Sequence, residues 1–211
     1  MPATTFIFVR HGATAANVCQ PYLVQGRLPD TDLVEEGRRQ AIEAGRALAE
    51  FAIDHGYCSP LKRAVQTAGL LADHTDVSVA VEPGLIEIDT GVWSALSWLE
   101  IEKRWPEEHR LFQDDAERHG YLGGENLGQL RDRLLPVIDR LADRHAGATI
   151  LIVGHGVANR VLLAHWTGIP LRYARRLPQE NGGISIVEKH DANYKVRVIN
   201  ATYGLIWSPG T

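Results

Sequence analysis

Two motifs in this sequence place a histidine directly after a largely apolar run. Residues 6–9 lead into Arg10-His11-Gly12, and residues 148–153 lead into Gly154-His155-Gly156. Apolar runs of this length, rich in aromatic and β-branched residues, predict buried strands. An arginine offers a planar fork of donors that suits a phosphate, and a neutral histidine is a nucleophile. One such tripeptide alone is also typical of an ordinary loop, but two of them after two predicted strands favour a shared anion site.

A pair of carboxylates lies in an apolar segment. Glu87 and Asp89 fall within residues 85–93, and Glu87 stands between Ile86 and Ile88. Burial among apolar neighbours favours the protonated form of a carboxyl group, which suits a general acid. We therefore expect Glu87 to be buried at a pocket wall and Asp89 to be structural. For both, the alternative is a salt bridge or a helix cap.

Alternating strands and helices are predicted to position these residues. The pattern predicts a helix over residues 33–55, capped by Thr31 or Asp32, and a second helix with Ser59 as its N-cap and Arg63 in its first turn. Further strands are predicted over residues 53–58, 76–81, 184–190 and 194–201, and further helices over residues 127–145 and 157–167. Parallel strands end at one edge of a sheet, so Arg63 is expected at the same edge as the two histidines.

The later part of the chain predicts an insertion and an antiparallel pair. Residues 94–126 exceed what one crossover helix needs, and the turn Asp191-Ala192-Asn193 is too short to contain a crossover helix. We predict a single α/β domain over residues 1–211. Its expected architecture is a three-layer α/β/α sandwich around a mostly parallel central sheet, with an antiparallel edge strand and a helical cap insertion at about 94–126.

The composition excludes some function classes. The 211 residues are 45% hydrophobic and 23% charged, as in ordinary globular proteins, and carry a net charge of -4. That charge argues against nucleic-acid or membrane-surface binding by bulk attraction, so an anion site must be built locally. Cys19 and Cys58 are too few for a disulfide scaffold and lack metal-ligand spacing. With no charged leader or apolar span at the N-terminus, we predict a cytoplasmic protein.

Taken in order, these motifs resemble the histidine phosphatase superfamily, in the branch that contains cofactor-dependent phosphoglycerate mutase. The Arg10-His11-Gly12 triplet, continued by Thr14 and Asn17, resembles the hallmark of that family. The later blocks that resemble it are Gln25-Gly26, Ser59-Pro60-Leu61-Lys62-Arg63-Ala64, Leu85-Ile86-Glu87-Ile88-Asp89, Gly123-Gly124-Glu125, Val153-Gly154-His155-Gly156 and Asn181-Gly182-Gly183. The resemblance spans nearly the whole chain.

The resemblance implies a role for each matching residue. His11 would attack phosphorus to form a phosphohistidine, and Glu87 would protonate the leaving alcohol and then activate water. Arg10, Arg63 and His155 would form a positive cradle, so neither a metal nor a cofactor is expected. The expected substrate contacts come from Thr14, Asn17, Gln25, Gly26 and Gly156. The implied partner is a small phosphorylated metabolite, not a nucleic acid or a membrane, bound by a monomer or a homodimer.

The sequence departs from the family pattern at three positions. Ala13 stands where many members carry Glu or Gln, Val34 replaces a common Thr, and Asn126 replaces a common Ser.

A mutase must shelter its phosphohistidine beneath a dense basic lining, but the basic residues of the 94–126 insertion are scattered among acidic ones. We therefore predict a phosphomonoester hydrolase. Phosphoglycerate mutase activity and a non-catalytic phospho-ligand-binding protein are the alternatives.

Overall fold

A six-stranded sheet forms the centre of the computed structural model, which describes residues 3–202. The strands are β1 (Thr4–Arg10), β2 (His55–Cys58), β3 (Val79–Val81), β4 (Thr149–Gly154), β5 (Ile184–His190) and β6 (Asn193–Ala201). The α-helices are α1 (Ala15–Val18), α2 (Glu35–Leu48), α3 (Lys62–Thr75), α4 (Trp98–Arg104), α5 (Pro106–Asp114), α6 (Leu127–Arg144) and α7 (Gly156–Thr167). Short 3-10 helices span Pro83–Leu85, Gly91–Trp93 and Leu171–Arg176. None of the helices within residues 3–202 combines the length and apolar character needed to cross a membrane.

The sheet is mixed, in the order β3-β2-β4-β1-β5-β6. The pairs β3-β2, β2-β4 and β4-β1 are parallel, whereas β5 runs antiparallel to both β1 and β6. The antiparallel strand therefore lies one position in from the edge. The tight turn between β5 and β6 explains why these two strands are antiparallel, because two residues leave no room for a crossover helix. In the parallel part, Arg10 pairs with Gly154, so β1 and β4 end at the same level.

Helices cover both faces of the sheet and complete the three layers. Alternate residues of β1 point to opposite faces, as the period of a strand requires. Phe6 and Phe8 pack in the core that includes α6 and α7. Ile7 and Val9 pack in the core that includes α2 and α3. Because both faces are buried, the central strands are apolar at nearly every position, which is why their sequence signal is strong.

The segment that was expected to form a cap contains α4 and α5. Its aromatic side chains pack on one another and on Trp93, which precedes the segment: the ring centroids of Trp93 and Phe112 are 5.4 Å apart, edge to face, and those of Phe112 and Tyr121 are 4.7 Å apart with tilted rings. Trp98 stacks on Phe112 at 5.5 Å. These aromatics belong to the same hydrophobic core as α6 and α7, so the insertion is anchored firmly to that face of the sheet.

Two predicted helix caps are wrong. The N-cap residue of α2 is Val34, which makes no side-chain capping bond, while Asp32 accepts a hydrogen bond from Gln66 at 2.8 Å. The helix α3 begins at Lys62 with Leu61 as its N-cap. Asp32 and Ser59, which were predicted as caps, instead contact side chains of other segments: Asp32 contacts Gln66, and Ser59 contacts His155. Helix α6 continues unbroken through Pro136.

Candidate active site

The structure brings His11 and His155 together at the carboxyl edge of the sheet. Because β1 and β4 are adjacent and parallel, the two histidines follow neighbouring strand ends. Their ring centroids are 5.2 Å apart, and both side chains are buried. The paired strand-histidine motifs thus lie at one site, as the sequence predicts.

The hydrogen bonds of His11 determine which ring nitrogen is free of a proton. Its Nδ1 lies 2.7 Å from the carbonyl oxygen of Gly12, which can only accept, so Nδ1 donates to it. Its Nε2 accepts from Nε of Arg63 at 3.2 Å. Burial lowers the pKa of His11 well below its ordinary value of 6.5, and the positive charges of Arg63 and Arg10 lower it further. His11 is therefore a neutral imidazole with its lone pair on Nε2, where it accepts the hydrogen bond from Arg63.

The backbone around His11 is packed too closely for side chains. A Cβ atom on Gly12 would overlap the carbonyl oxygen of Gly37, and a Cβ atom on Gly37 would overlap that of Ala13. This contact explains why a glycine is present in the first turn of α2 despite its poor helix propensity. The amide of Gly12 also donates to Oγ1 of Thr67 at 3.0 Å. The loop that carries His11 is thus locked against α2 and α3.

Backbone carbonyl oxygens orient the two arginines. The side chain of Arg63 is fully buried and donates from Nη2 to the carbonyl oxygen of Gly26 at 2.6 Å. Arg10 donates from Nη1 to the carbonyl oxygen of Gln179. Burial lowers the pKa of Arg10 to about 10, with a further contribution from the charge of Arg160, and burial also lowers the pKa of Arg63. Arg10 remains a cation at neutral pH, as an arginine held in this way does.

The second histidine is neutral and does not supply the expected positive charge. Nε2 of His155 lies 2.6 Å from Oγ of Ser59. Burial lowers the pKa of His155 well below 6.5, and the charge of Arg63 acts in the same direction. In the structure as described, His155 is thus neutral, and the cationic part of the cradle is formed by arginines. Ser59, which capping rules assign to the start of α3, is a partner of this histidine.

Three buried side-chain nitrogens at this edge have no hydrogen-bond partner within residues 3–202. They are Nε of Arg10, Nη1 of Arg63 and Nδ1 of His155. An unpaired buried donor costs about 1–3 kcal/mol, so such groups are rare unless something else binds them. An anion at this edge would satisfy the donors of both arginines, and that of His155 where its proton is on Nδ1. Their chemistry fits a phosphoryl group, which has several acceptor oxygens.

Glu87 is held at the N-terminus of α7. Its carboxylate is 3% exposed and accepts three backbone N–H bonds, from Val157 and Ala158 at 3.0 Å and from Ile88 at 2.9 Å. The predicted burial is confirmed. The sequence pattern did not reveal that these three donors surround the carboxylate, because two of them come from α7, 70 residues later in the chain.

Asp89 lies in a different environment. Its side chain is 42% exposed, it accepts from the amide of Gly91 at 2.9 Å, and it lies 3.5 Å from Arg27. The nearby Glu125 pairs with Arg133 at 2.7 Å and accepts from the amide of Asp89. These contacts hold the loop after Glu87 in place, which matches the structural role predicted for Asp89.

The predicted substrate-contact residues divide into two groups. Asn17, Gln25 and Gly156 line a cavity of about 270 Å³. Thr14 and Gly26 are outside that lining. Thr14 contacts Asn17 and Gln25 at 3.0 Å, and the carbonyl oxygen of Gly26 holds Arg63. Thr14 and Gly26 therefore position their neighbours instead of facing the cavity.

Several residues that sequence reasoning did not assign to the site also line the cavity. Together with Arg10, His11 and Glu87, the lining includes Leu23, Val24, Trp98, Tyr121, Val157, Arg160 and Arg175. Arg160 had a detectable signal, since it lies four residues after Gly156 and so on the same face of a helix. The positions of Tyr121 and Arg175 depend on how the cap folds over the sheet, which has no local signature.

The mixed six-stranded sheet with two histidines and two arginines at one edge is the arrangement of a histidine phosphatase. The model of the histidine phosphatase superfamily (branch 1) matches residues 6–202. The chain belongs to the histidine phosphatase superfamily, and its relatives point to phosphatase activity on small phosphorylated substrates.

Named relatives and solved structures agree with this membership. The chain is 30% identical over 196 residues to "Phosphoserine phosphatase 1" of Hydrogenobacter thermophilus, covering 93% of this chain and 92% of that protein. It is also 30% identical to "Probable phosphoglycerate mutase GpmB" of Erwinia tasmaniensis, covering 85% and 82% of the two chains. A structure described as a putative alpha-ribazole-5'-P phosphatase from Escherichia coli superimposes with a TM-score of 0.84 at 26% identity, covering 96% of this chain and 99% of that one.

Proposed function

We propose that this protein hydrolyses phosphomonoesters of small metabolites through a phosphohistidine formed on His11. The observation that carries the proposal is the state of the His11 side chain. Its Nδ1 donates to the carbonyl oxygen of Gly12, so the lone pair is on Nε2, where it accepts from Nε of Arg63. In the proposed reaction the Arg63 donor moves to a phosphoryl oxygen, which frees this lone pair to attack phosphorus. A neutral imidazole with a fixed tautomer is ready to attack phosphorus without losing a proton first.

In the first step, a bond forms between Nε2 of His11 and phosphorus as the bond to the ester oxygen breaks. Arg10 and Arg63 neutralise charge on the equatorial oxygens, and the N–H groups of His155 and Gly156 add neutral donors. The leaving oxygen takes a proton from Glu87.

In the second step, the carboxylate of Glu87 takes a proton from water as the water oxygen attacks phosphorus. The bond to Nε2 of His11 breaks, and inorganic phosphate leaves with Glu87 protonated again for the next cycle. The three backbone donors to Glu87 suit this alternation, since they favour the anionic base once the alcohol has left. We infer that no metal is required, because the arginines supply the positive charge that phosphoryl transfer needs.

The cap supports hydrolysis over mutase activity. Three of its arginines are committed to acidic neighbours on the surface: Arg104 pairs with Glu100 at 3.6 Å, Arg110 pairs with Glu107 at 2.8 Å, and Arg118 lies 3.6 Å from Asp115. These cations are outside the cavity lining. A mutase must retain phosphate and a bisphosphate intermediate, which requires cations that face the cavity. Because these three arginines pair with carboxylates elsewhere, the cap offers few groups that could hold a bisphosphate.

We propose one domain over residues 1–211, with the helical insertion at about 94–126 as a cap, and a cytoplasmic monomer or homodimer. In support, the buried side chains of the insertion join the main core, and Cys19 and Cys58 are both free thiols.

The deciding experiment follows the fate of phosphate from 3-phosphoglycerate. We expect release of inorganic phosphate and glycerate by the wild-type protein in the presence of a chelator, and none by His11→Ala. Efficient conversion to 2-phosphoglycerate with negligible phosphate release would favour the mutase. Binding of phosphate esters without any turnover would favour the non-catalytic alternative.

A further inference from the structure

The segment that carries Glu87 has little regular structure of its own. It leaves one short 3-10 helix at Leu85 and enters the next at Gly91, so the backbone at Glu87 lies in neither a helix nor a strand. Within residues 3–202, no backbone N–H donates to the carbonyl oxygens of Ile86 and Glu87. Main-chain carbonyl oxygens in a folded interior are nearly always paired, so their donors must come from side chains. The position of the Glu87 backbone therefore depends on residues from elsewhere in the chain.

Arg133 of α6 supplies these donors. Its Nη1 donates to the carbonyl oxygen of Ile86 at 2.8 Å, and its Nη2 donates to that of Glu87 at 2.9 Å. Nη1 also lies 3.4 Å from the carbonyl oxygen of Gly84. One guanidinium thus holds two consecutive carbonyl groups of this segment. A planar fork with donors in fixed directions is suited to that task, whereas an ammonium group on a flexible stem is not held in one orientation.

Glu125 fixes the orientation of that guanidinium. Nε and Nη2 of Arg133 donate to its two carboxylate oxygens at 2.7 and 3.1 Å. Burial alone would raise the pKa of Glu125, but the hydrogen bonds from Arg133 and from the amide of Asp89 lower it below its ordinary value, so Glu125 is a carboxylate at neutral pH. A two-bond pair of this kind is a strong charge-assisted contact. All three side-chain nitrogens of Arg133 are thus occupied by Glu125 and by the segment that carries Glu87.

Arg27 makes a second contact with the same carbonyl oxygen. Its Nε donates to the carbonyl oxygen of Glu87 at 3.2 Å, and its Nη2 pairs with Glu125 at 3.1 Å. The carboxylate of Glu87 accepts in turn from the amides of Val157 and Ala158. Glu87 is therefore held at both ends, its carbonyl group by two guanidinium groups and its carboxylate by the start of α7.

Resting on the proposed function, we propose that Arg133 is a positioning residue for Glu87, and so for the proton that reaches the leaving oxygen. Arg133 is outside the lining of the cavity, so its influence on the reaction passes through the backbone of Glu87. A displacement of about 1 Å in a reacting group can cost about 100-fold in rate. Loss of the fork should therefore slow the departure of a group that needs a proton and leave the attack of His11 on phosphorus nearly unchanged.

The test uses Arg133→Lys, which keeps a positive charge beside Glu125 but loses the planar fork. We expect kcat/KM for 3-phosphoglycerate, an alkyl phosphate, to fall about 10- to 100-fold. For p-nitrophenyl phosphate we expect a fall of less than about 3-fold, because nitrophenolate departs without a proton. Inhibition by inorganic phosphate should change by less than about 2-fold, because Arg133 does not line the cavity.

A double-mutant cycle separates positioning from general destabilisation. In the Glu87→Gln background no acid is left to position, so Arg133→Lys should change kcat/KM for 3-phosphoglycerate by less than about 2-fold. Glu125→Gln provides a second variant, because it removes the charge that orients Arg133 while its side chain keeps nearly the same shape. It should lower kcat/KM for the alkyl ester selectively, by about 3- to 10-fold, the equivalent of one hydrogen bond.

Arg140→Lys is the matched control. Arg140 is also on α6, pairs with Glu82 at 3.0 Å and is 56% exposed. It should leave kcat/KM for both esters unchanged within about 2-fold. Equal effects of Arg133→Lys on the two esters, or a loss for 3-phosphoglycerate that persists in the Glu87→Gln background, would overturn the positioning role while leaving a His11-dependent phosphatase intact. Equal sensitivity of the two esters to Glu87→Gln, or no phosphate release from either ester, would instead overturn the proposed function.

Discussion

Replacing Glu87 by Gln would separate its proposed role as an acid from its role in packing. In the wild type, one carboxylate oxygen accepts from Ile88 and Ala158 and the other accepts from Val157. The amide oxygen of Gln keeps two of these bonds, but its NH2 group then meets a third N–H donor. That unsatisfied buried donor should lower the free energy of unfolding by about 1–3 kcal/mol. The fold should survive, because single domains are typically stable by about 5–15 kcal/mol.

The effect on chemistry depends on the leaving group. An alkyl alcohol needs a proton as it departs, so Glu87→Gln should lower kcat/KM for an alkyl phosphate by about 100- to 10,000-fold. An activated aryl phosphate releases a stabilised phenolate, and its kcat/KM should fall by less than about 10-fold. kcat/KM reports the steps up to alcohol release, so it isolates the acid from the later base. For the aryl substrate, kcat should fall more, with a burst of phenolate as phosphoenzyme accumulates.

Asp89→Asn is the matched control, because it removes a carboxylate two residues away that is 42% exposed and outside the cavity lining. It should change kcat/KM for both ester classes by the same small factor. Equal sensitivity of alkyl and aryl esters to Glu87→Gln would refute the assignment of the proton donor. Urea unfolding of both variants shows how much of any loss is due to stability.

Three further predictions concern the groups around the nucleophile. Ser59→Ala removes the hydroxyl 2.6 Å from His155 and should lower kcat/KM about 3- to 10-fold, the equivalent of one buried hydrogen bond; an unchanged rate would show that another contact orients His155. Gly37→Ala should lower the free energy of unfolding by about 1–3 kcal/mol and impair turnover, because its Cβ atom would overlap the backbone of Ala13. Gly69→Ala, where a Cβ atom has open space, should raise the free energy of unfolding by about 0.5–1 kcal/mol, and equal effects of the two variants in urea unfolding would contradict the packing argument. The pKa values of His11 and His155 are lowered in the folded chain, so below about pH 6.5 the unfolded chain binds their protons and the folded chain does not. As the pH decreases below that value, the free energy of unfolding should therefore decrease by up to about 1.4 kcal/mol per pH unit for each histidine. His155→Asn should make that decline less steep, and an identical slope would refute the assignment.

Much of the catalytic edge is predictable because its residues follow regular elements. His11 and His155 come directly after buried strands, and Arg63 falls in the first turn of α3, so sheet geometry alone brings them together. The glycine at position 37 is conspicuous in sequence through its poor helix propensity. Only the three-dimensional packing against Ala13 explains it.

The remaining features depend on contacts between distant segments. Ser59 is a residue type that favours helix N-caps and lies just before α3, yet its hydroxyl contacts His155, 96 positions later. The charge of His155 depends on burial and on Arg63, neither of which a motif reveals. Arg175 lines the cavity with its guanidinium over the rings of Trp98 and Phe112, a packing that a linear pattern of scattered charges does not show.

The most direct test of the central claim is to trap the phosphoenzyme and locate the phosphate. The wild-type protein is mixed with an aryl phosphate, quenched in alkali, digested and mapped by mass spectrometry, with Glu87→Gln used to prolong the intermediate. We predict an acid-labile, alkali-stable phosphoryl group on the peptide that contains His11, absent from His11→Ala, while His155→Asn still forms it on His11. A phosphoryl group on another residue, or normal turnover of His11→Ala, would contradict nucleophilic catalysis by His11.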